Sequence, residues 1–504
     1  MKVAQILKER AEEFPEKPAI IFKDKAITFR DLKLSAFKFA DSLISLGAKK
    51  GDKFAIYLPN CPEYISSYLA AFCCGLTCVP LDFMLTEDEL ISCISHSEAN
   101  ILVAQPKTGV SFPKIKENCP GLKQIIPAQE KLEGVLFFEE VMEKGSTKLP
   151  AASIRDEDYA IIFYTSGTTG RPKGVLINYR QLSAPPQAMT HFVDFTDKDI
   201  LLCALPFSHL GGLIYLQNCI SFGMTTVIME RFLPLEFLRN IPKYGVTCLW
   251  IVPSMYYALL QSKEFESCNL SSLRWIVIFG APSSPDALRR FYQYCPKAEL
   301  LHGWGLTETN APTTVIPLGS RKVESVGKSA PWIEVKVFDE KDLEVGPGGI
   351  GEIAVKGWVV TDGYYKDPET TKQAIRNGWF YTGDLGWFDA EGYLYIVGRK
   401  KEMIKVAGEI VFEPEVEAAL YKHPDVVEAA VIGVPDKLRG EVPKAFLVLK
   451  EAARAREDEL RYFCRQHLAH FKVPHYFEFT SSLPKNRTGK IDKEKLRAGI
   501  LSSK

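Results

Sequence analysis

The chain has no excess charge of either sign: 62 Lys and Arg balance 62 Asp and Glu over 504 residues. That balance removes the electrostatic argument for nucleic acid or an anionic membrane as the main partner. Paired Cys-x-x-Cys spacing is also missing. The 12 cysteines sit singly in apolar stretches, apart from adjacent Cys73 and Cys74, and the eight histidines do not cluster with them. Neither a metal centre nor a disulfide framework is supported; buried, reduced thiols in a cytoplasmic protein are the simpler reading. Residues 1–16 are charged throughout and lack an apolar signal core. Two stretches without formal charge, 64–81 and 201–229, are interrupted by Gly, Pro, Ser or Thr, and each is expected to be a buried helix followed by a core strand. No membrane span is expected, although peripheral contact with a membrane stays open. No Gly-x-Gly-x-x-Gly follows a strand with an acidic residue about twenty positions on, so a dehydrogenase is unsupported. Repeats and low-complexity tracts are absent.

What is present is the pattern of a large α/β protein. Hydrophobic residues make up 46% and charged residues 25%, a globular balance, and the length predicts more than one folded unit. Thr28 followed by Asp31 forms a capping signal for an amphipathic segment running to Gly47. Short apolar runs at 54–58, 159–164, 225–229, 248–252 and 275–279 are separated by helix-length stretches. Ser284-Pro285 suits the start of a helix to about Tyr294. Such alternation predicts helix-covered, mostly parallel sheets. The last hundred residues differ: a helix opened by Pro414 with Val416, Ala419 and Leu420 on one face, strands near 426–434, 445–449 and 477–479, and a helix with Leu460, Phe463, Cys464 and Leu468 on one face. This is a small α+β unit, bounded by the charged run 398–402.

The strongest chemical signal is Tyr164-Thr165-Ser166-Gly167-Thr168-Thr169-Gly170-Arg171-Pro172-Lys173-Gly174, placed after an expected strand. Its glycines let the backbone approach an anion closely. Its hydroxyls, loop amides and Lys173 supply donors for phosphate oxygens. A flexible linker has no reason to carry the Pro-Lys-Gly stop. A P-loop needs Gly-Lys-Ser/Thr, whereas Arg171 and Pro172 intervene here.

These eleven residues closely resemble the phosphate-loop signature of the adenylate-forming superfamily of acyl- and aryl-CoA synthetases, luciferases and peptide-synthetase adenylation domains. Further motifs of that family follow in order along essentially the whole chain. The resemblance implies an N-terminal domain over 1–399 in three subdomains and a mobile C-terminal lid over 400–504. It implies that Thr165, Ser166, Gly167, Thr168, Thr169 and Lys173 hold ATP phosphates, and that Gly280, Ala281 and Pro282 line the adenine and acyl pockets. In His302-Gly303-Trp304-Gly305-Leu306-Thr307-Glu308 it implies an aromatic ring packed on adenine, Thr307 at the phosphate and Glu308 on Mg²⁺, with Thr165 also near the metal. Trp304 stands where Tyr is commoner. Asp384 resembles the carboxylate that accepts both ribose hydroxyls, Arg399 its partner, and Lys490 the lid lysine of adenylation. Lys401 resembles the lid pivot, and the segment around Lys405 and Gly408 the wall of a pantetheine tunnel. Arg439, Phe471 and Lys472 fall where relatives contact the CoA nucleotide.

The same residues suit the chemistry without the resemblance. Joining a carboxylate to a thiol is uphill in water, and ATP drives it through an acyl-adenylate. The carboxylate must attack an anionic α-phosphorus, which calls for cations: a metal on Glu308 and the ammonium of Lys490. Taken alone, Glu308 and Lys490 would be ordinary surface charges and Asp384 a turn residue. His209, in Pro206-Phe207-Ser208-His209, resembles the residue beside the acyl site. The acyl pocket is expected from 210–216, Met255, 278–281 and 310–313, a largely apolar set, with Phe279 standing where glycine is usual. The resulting expectation is an ATP-, Mg²⁺- and coenzyme A-dependent ligase acting on a medium- or long-chain fatty acid. An aryl or arylpropenoic acid, or loading of a separate carrier protein, is the alternative. A luciferase-like oxygenase shares every nucleotide motif. A module that merely binds nucleotide would need neither Lys490 nor Glu308.

Overall fold

Short apolar runs bounded by turn residues form the strands of two mainly parallel sheets. The computed structural model describes residues 2–148, 152–165, 173–280, 285–310, 312–320, 322–450, 455–485 and 491–502. One sheet of six strands contains Lys53–Tyr57, Thr77–Pro80, Ala99–Ala104, Gln124–Pro127 and Tyr159–Thr165, all parallel to their neighbours, closed by antiparallel Lys173–Asn178. A sheet of nine strands has a parallel centre, running Glu299–Trp304, Trp275–Ile278, Cys248–Ile251, Ile200–Cys203, Thr225–Ile228 and Pro18–Phe22. Thr28 caps the helix Phe29–Ser45 through a full capping box with Asp31. The first uncharged stretch is the buried helix Pro62–Cys74 followed by a strand, as anticipated. The second differs in starting with a strand, before the helix Leu210–Phe222 and another strand. Ser284 lies outside the described residues; its helix is Pro285–Gln293.

A third sheet is wholly antiparallel: Glu334–Phe338, Gly351–Lys356, Ile375–Arg376, Trp379–Phe388 and Leu394–Arg399. The small C-terminal domain has its own core, built on Val426–Asp436, Gly440–Leu449, the hairpin Met403–Val406 with Glu409–Phe412, and parallel Tyr476–Phe479. The helix Glu413–Leu420 buries Val416, Ala419 and Leu420 as anticipated; in Glu457–His467 Leu460 and Cys464 are buried, while Phe463 is half-buried and Leu468 falls just past the helix end. Tyr257 of the large domain stacks on Tyr421 of the small one, with ring centroids 5.7 Å apart. Among the described residues no helix is long and apolar enough to cross a membrane.

Register in the nine-stranded sheet decides what reaches the site. Trp250 is opposite Val277, and Val277 is opposite Leu301. Side chains alternate between faces with period two. Trp250, Val277, Phe279 and Leu301 therefore share one core with the helix Leu210–Phe222, whereas Leu249, Ile276, Ile278 and Met255 belong to the core on the other face. This corrects the expected acyl pocket: Met255 and Ile278 are divided from Phe279 by the sheet itself. Gly303 must be glycine, because a Cβ there would lie 2.2 Å from the Phe279 ring and 2.4 Å from the Thr314 carbonyl oxygen.

Candidate active site

Three sheets meet around the groups singled out in the sequence. Asp384 and Arg399 are direct cross-strand partners in the antiparallel sheet. The guanidinium Nε of Arg399 lies 2.9 Å from Asp384 Oδ1. From the nine-stranded sheet, the indole Nε1 of Trp304 donates to Asp384 Oδ2 at 2.8 Å. Asp384 is buried, and burial raises its pKa above the ordinary carboxylate value, with Arg399 and Trp304 pulling it back.

Beyond Trp304 the chain turns through Gly305 into the short helix Thr307–Thr309, which carries Glu308. The Glu308 carboxylate accepts from the Tyr364 hydroxyl at 3.0 Å. Its backbone carbonyl accepts from Thr361 N–H at 2.7 Å. Burial raises the Glu308 pKa, offset by Tyr364 and by the charges of Arg399 and Lys173. Lys173 closes the cluster from the six-stranded sheet, its Nζ 5.2 Å from the centre of the Tyr364 ring. Thr165 faces Lys173 across the antiparallel pair, at the edge of the phosphate-loop segment. Ser166, Gly167, Thr168, Thr169, Ala281, Pro282 and Lys490 lie outside the described residues. Gly280, with φ of +99°, occupies the left-handed region that favours glycine.

His209 precedes the helix Leu210–Phe222, and its Nε2 lies 3.3 Å from Asp82 Oδ2. The core shared with that helix contains several aromatic rings. Phe279 is buried against Trp250, with centroids 5.7 Å apart, and lies across Gly303. The Tyr215 hydroxyl accepts from Trp250 N–H at 3.0 Å and donates to the Trp250 carbonyl. In the small domain, Lys405 and Gly408 are exposed, Gly408 in the turn of a hairpin. Lys401 pairs with Glu494 at 3.5 Å, Lys472 with Glu415 at 2.6 Å, and Arg439 contacts His475 at 3.1 Å. Phe471 packs on the small domain's core. The structure thus gathers Lys173, Trp304, Glu308, Asp384 and Arg399. It leaves the small-domain residues engaged with their own domain.

Three residues with parts in this cluster were not singled out in the sequence: Tyr364, Trp250 and Asp82. Tyr364 carried a usable signal. It belongs to an aromatic pair after glycine, Gly363-Tyr364-Tyr365, and a buried phenol must find a partner. Asp82 and Trp250 carried none, since their contacts span 127 and 29 residues of chain.

A carboxylate cluster where two mainly parallel sheets meet an antiparallel one, with a small C-terminal domain beside it, defines an adenylate-forming enzyme fold. The chain belongs to the AMP-binding enzyme family, whose model matches residues 7–365, while the AMP-binding enzyme C-terminal domain matches 415–490. It is 33% identical to a long-chain-fatty-acid–CoA ligase of Bacillus subtilis, over 97% of this chain and 93% of that protein. It is 36% identical to a 2-succinylbenzoate–CoA ligase of Bacillus licheniformis, over 97% and 98%. The anthranilate CoA ligase AuaEII, solved with anthranoyl-AMP, superposes with a TM-score of 0.95 at 27% identity, covering 100% of this chain and 98% of that one. The chain is accordingly an AMP-forming acid–CoA ligase, working through an acyl-adenylate with ATP, Mg²⁺ and coenzyme A.

Proposed function

We propose that the body over 1–399 forms the acyl-adenylate and that a lid over 400–504 moves between the two half-reactions. In the first, a carboxylate oxygen of the acid attacks the α-phosphorus of ATP and pyrophosphate leaves. In the second, the sulfur of coenzyme A attacks the acyl carbon, loses its proton and expels AMP. Asp384 accepts the ribose hydroxyls with Arg399 beside it, Trp304 carries the adenine, and Lys173, Thr307 and the loop 165–169 hold the phosphates. Lys490 supplies a cation at the α-phosphate in the first step only. Lys405 and Gly408 face the adenylate in the second, and Lys401 is the pivot. Arg439, Phe471 and Lys472 meet the coenzyme A nucleotide.

The residues suit Mg²⁺. Glu308 is a half-buried carboxylate whose side chain is met by a neutral phenol, which leaves hard oxygen lone pairs for a divalent ion. Glu308, with Thr165 nearby, would hold the ion, which supplies charge neutralisation at the phosphates.

A cluster of aromatic rings supports a reading of the acid. Phe279, Trp250 and Tyr215 pack together in the core shared with the helix Leu210–Phe222, which follows His209. We infer a compact acid, aryl or arylpropenoic, in preference to a medium- or long-chain fatty acid. The fatty-acid reading retains the apolar helix face of Leu210, Leu213 and Leu216 and the likeness to the Bacillus subtilis ligase in its favour. Incubation with ATP, coenzyme A and a panel of benzoates, cinnamates and C4 to C16 fatty acids, with products identified by mass, decides between them. Turnover confined to C12 or longer would overturn the compact-acid reading. Adenylates formed without thioesters would point to a carrier-protein acceptor. Phe279→Gly tests the same cluster: each added buried methylene contributes about 0.8 kcal/mol, so two or three extra carbons gain roughly 15- to 60-fold in relative kcat/KM. An unchanged acid profile in a normally folded variant removes Phe279 from the acyl site.

A further inference from the structure

We propose that Trp304 is a positioning residue for the sugar as well as a surface for the base: its indole N–H fixes the Asp384 carboxylate in the orientation that receives the ribose. The inference rests on the ribose role proposed for Asp384.

The bond joins two separate sheets across 80 residues of sequence. Both ends are buried, Trp304 at 9% and Asp384 at 5% exposure. The indole side is held rigidly. Gly303 and Trp304 pair with Val315 and Thr314, and the Trp304 carbonyl accepts from Thr313 N–H at 2.9 Å. Pairing of a buried indole is not automatic in this protein, since the Nε1 atoms of Trp275 and Trp332 are buried without a hydrogen-bond partner. The N–H of Trp304 is its single polar side-chain group, and it points at the one carboxylate assigned to the sugar.

Arg399 cannot do the orienting alone. Its side chain is 44% exposed, so its contact with Oδ1 is screened by solvent and its long stem is free to rearrange. The indole bond to Oδ2 is shielded and short of rotational freedom. A carboxylate accepts about four hydrogen bonds. With one donor on each oxygen, each keeps a lone pair, which makes two for two ribose hydroxyls. Phenylalanine at 304 would keep a flat apolar face and remove the donor. A tyrosine hydroxyl, at the far end of its ring, does not reproduce an N–H on the ring edge. The adenine platform and the ribose acceptor thus form one unit, set by the choice of Trp in the segment 302–308.

The test compares ATP with 2′,3′-dideoxy-ATP, by calorimetric binding and by pyrophosphate exchange. In the unmodified enzyme the ratio of their affinities reports the ribose contacts. Trp304→Phe is expected to reduce that ratio about 10- to 100-fold, the loss of one hydrogen bond to a charged group. Asp384→Ala should reduce it as well, and the double variant should fall no further than the larger single loss. If Trp304→Phe weakens both nucleotides equally and leaves the ratio intact, Trp304 serves the base alone and the proposal is overturned. If Asp384→Ala leaves the ratio intact, the ribose reading of Asp384 fails instead. Should Trp304→Phe fold poorly, benzothienylalanine at position 304, with sulfur in place of the N–H and the ring shape kept, gives the same two outcomes.

Discussion

The two domains enclose carboxylates in opposite ways. In the small domain, Glu413 is met on both oxygens by cations, Lys493 at 3.0 Å and Arg497 at 2.7 Å. Glu417 shares Lys493 at 2.7 Å and accepts Val431 N–H at 2.8 Å. In the large domain, Glu308 leans on a phenol, and Asp384 on an indole and one half-exposed guanidinium. Burial raises the pKa of all four carboxylates. Only in the small-domain pair does each carboxylate meet a cation directly, whereas Glu308 meets a phenol. A self-sufficient ion cluster is a fastening: it ties the last helix, Lys493–Ser502, to the helix Glu413–Leu420. The large-domain carboxylates keep free lone pairs, and under the function proposed above they are a receptor for a cation and for hydroxyls from outside.

The largest effect should come from breaking the fastening. Glu413→Ala leaves Arg497 without its carboxylate and Lys493 with Glu417 alone, and breaking a buried ion cluster typically costs about 3–5 kcal/mol. The small domain should melt first, while nucleotide binding by the large domain is retained. Equal loss in both domains would erase the distinction. Next is Lys490→Ala, which removes the cation proposed to arrive from the lid. Adenylation should fall on the order of 100- to 1000-fold, about 3–4 kcal/mol, and thioester formation from supplied acyl-adenylate should be largely spared. Equal losses in the two half-reactions would refute a lid with two poses.

The contrast between the domains was only half legible in the sequence. Parallel strands such as Trp275–Ile278 are short apolar runs because both faces are buried, and period and turn residues mark them clearly. The hairpin Met403–Val406 with Glu409–Phe412 escaped notice because three of its eight residues are exposed and charge interrupts the pattern. The antiparallel sheet over 334–399 was hidden for a similar reason: Glu334–Phe338 has one buried residue in five. Candidate site residues lying in contiguous motifs, such as Glu308 and Trp304, could be named. Their partners could not, since nothing local to Trp304 announces Asp384 and nothing local to Glu308 announces Tyr364. The face of Phe279 was beyond reach until the strand register was known.

His302 sharpens the picture of a large domain that tolerates incomplete compensation. It lies in the same strand as Trp304, is buried, and its Nδ1 has no hydrogen-bond partner. Burial pushes its pKa down from 6.5 to about 4. The folded state therefore binds the proton less readily than the unfolded chain. Stability from this group is complete above about pH 6.5 and is lost as the pH falls toward 4, by about 3 kcal/mol. Denaturant unfolding of wild type and His302→Gln across pH 7 to 4 isolates the contribution, since the other titrating groups cancel in the difference. A pH-independent difference would mean that His302 is already solvated or paired.

The smallest expected effect probes the receptor itself. The Tyr364 hydroxyl is the side-chain donor on Glu308, while the Tyr364 ring faces the Lys173 ammonium. Tyr364→Phe removes the first contact and keeps the second. The segment around it is well fastened: Tyr365 N–H donates to the Gly174 carbonyl at 2.7 Å, and the Thr361 hydroxyl donates to the Leu176 carbonyl at 2.6 Å. The backbone should therefore hold its place and the melting temperature should change little. A lost hydrogen bond to a charged group costs about 1.5–3 kcal/mol, or roughly 10- to 100-fold. The loss should fall on the Mg²⁺ concentration needed for half-maximal adenylation, and on the Mg²⁺ dependence of ATP binding measured by calorimetry. The acid substrate's KM and the thioester step should stay near wild type, because neither involves the phosphates that Glu308 is proposed to serve. If Tyr364→Phe alters the KM for the acid and leaves the Mg²⁺ requirement untouched, Glu308 belongs to the acyl side of the site, and the large domain's carboxylates are not a receptor for the metal.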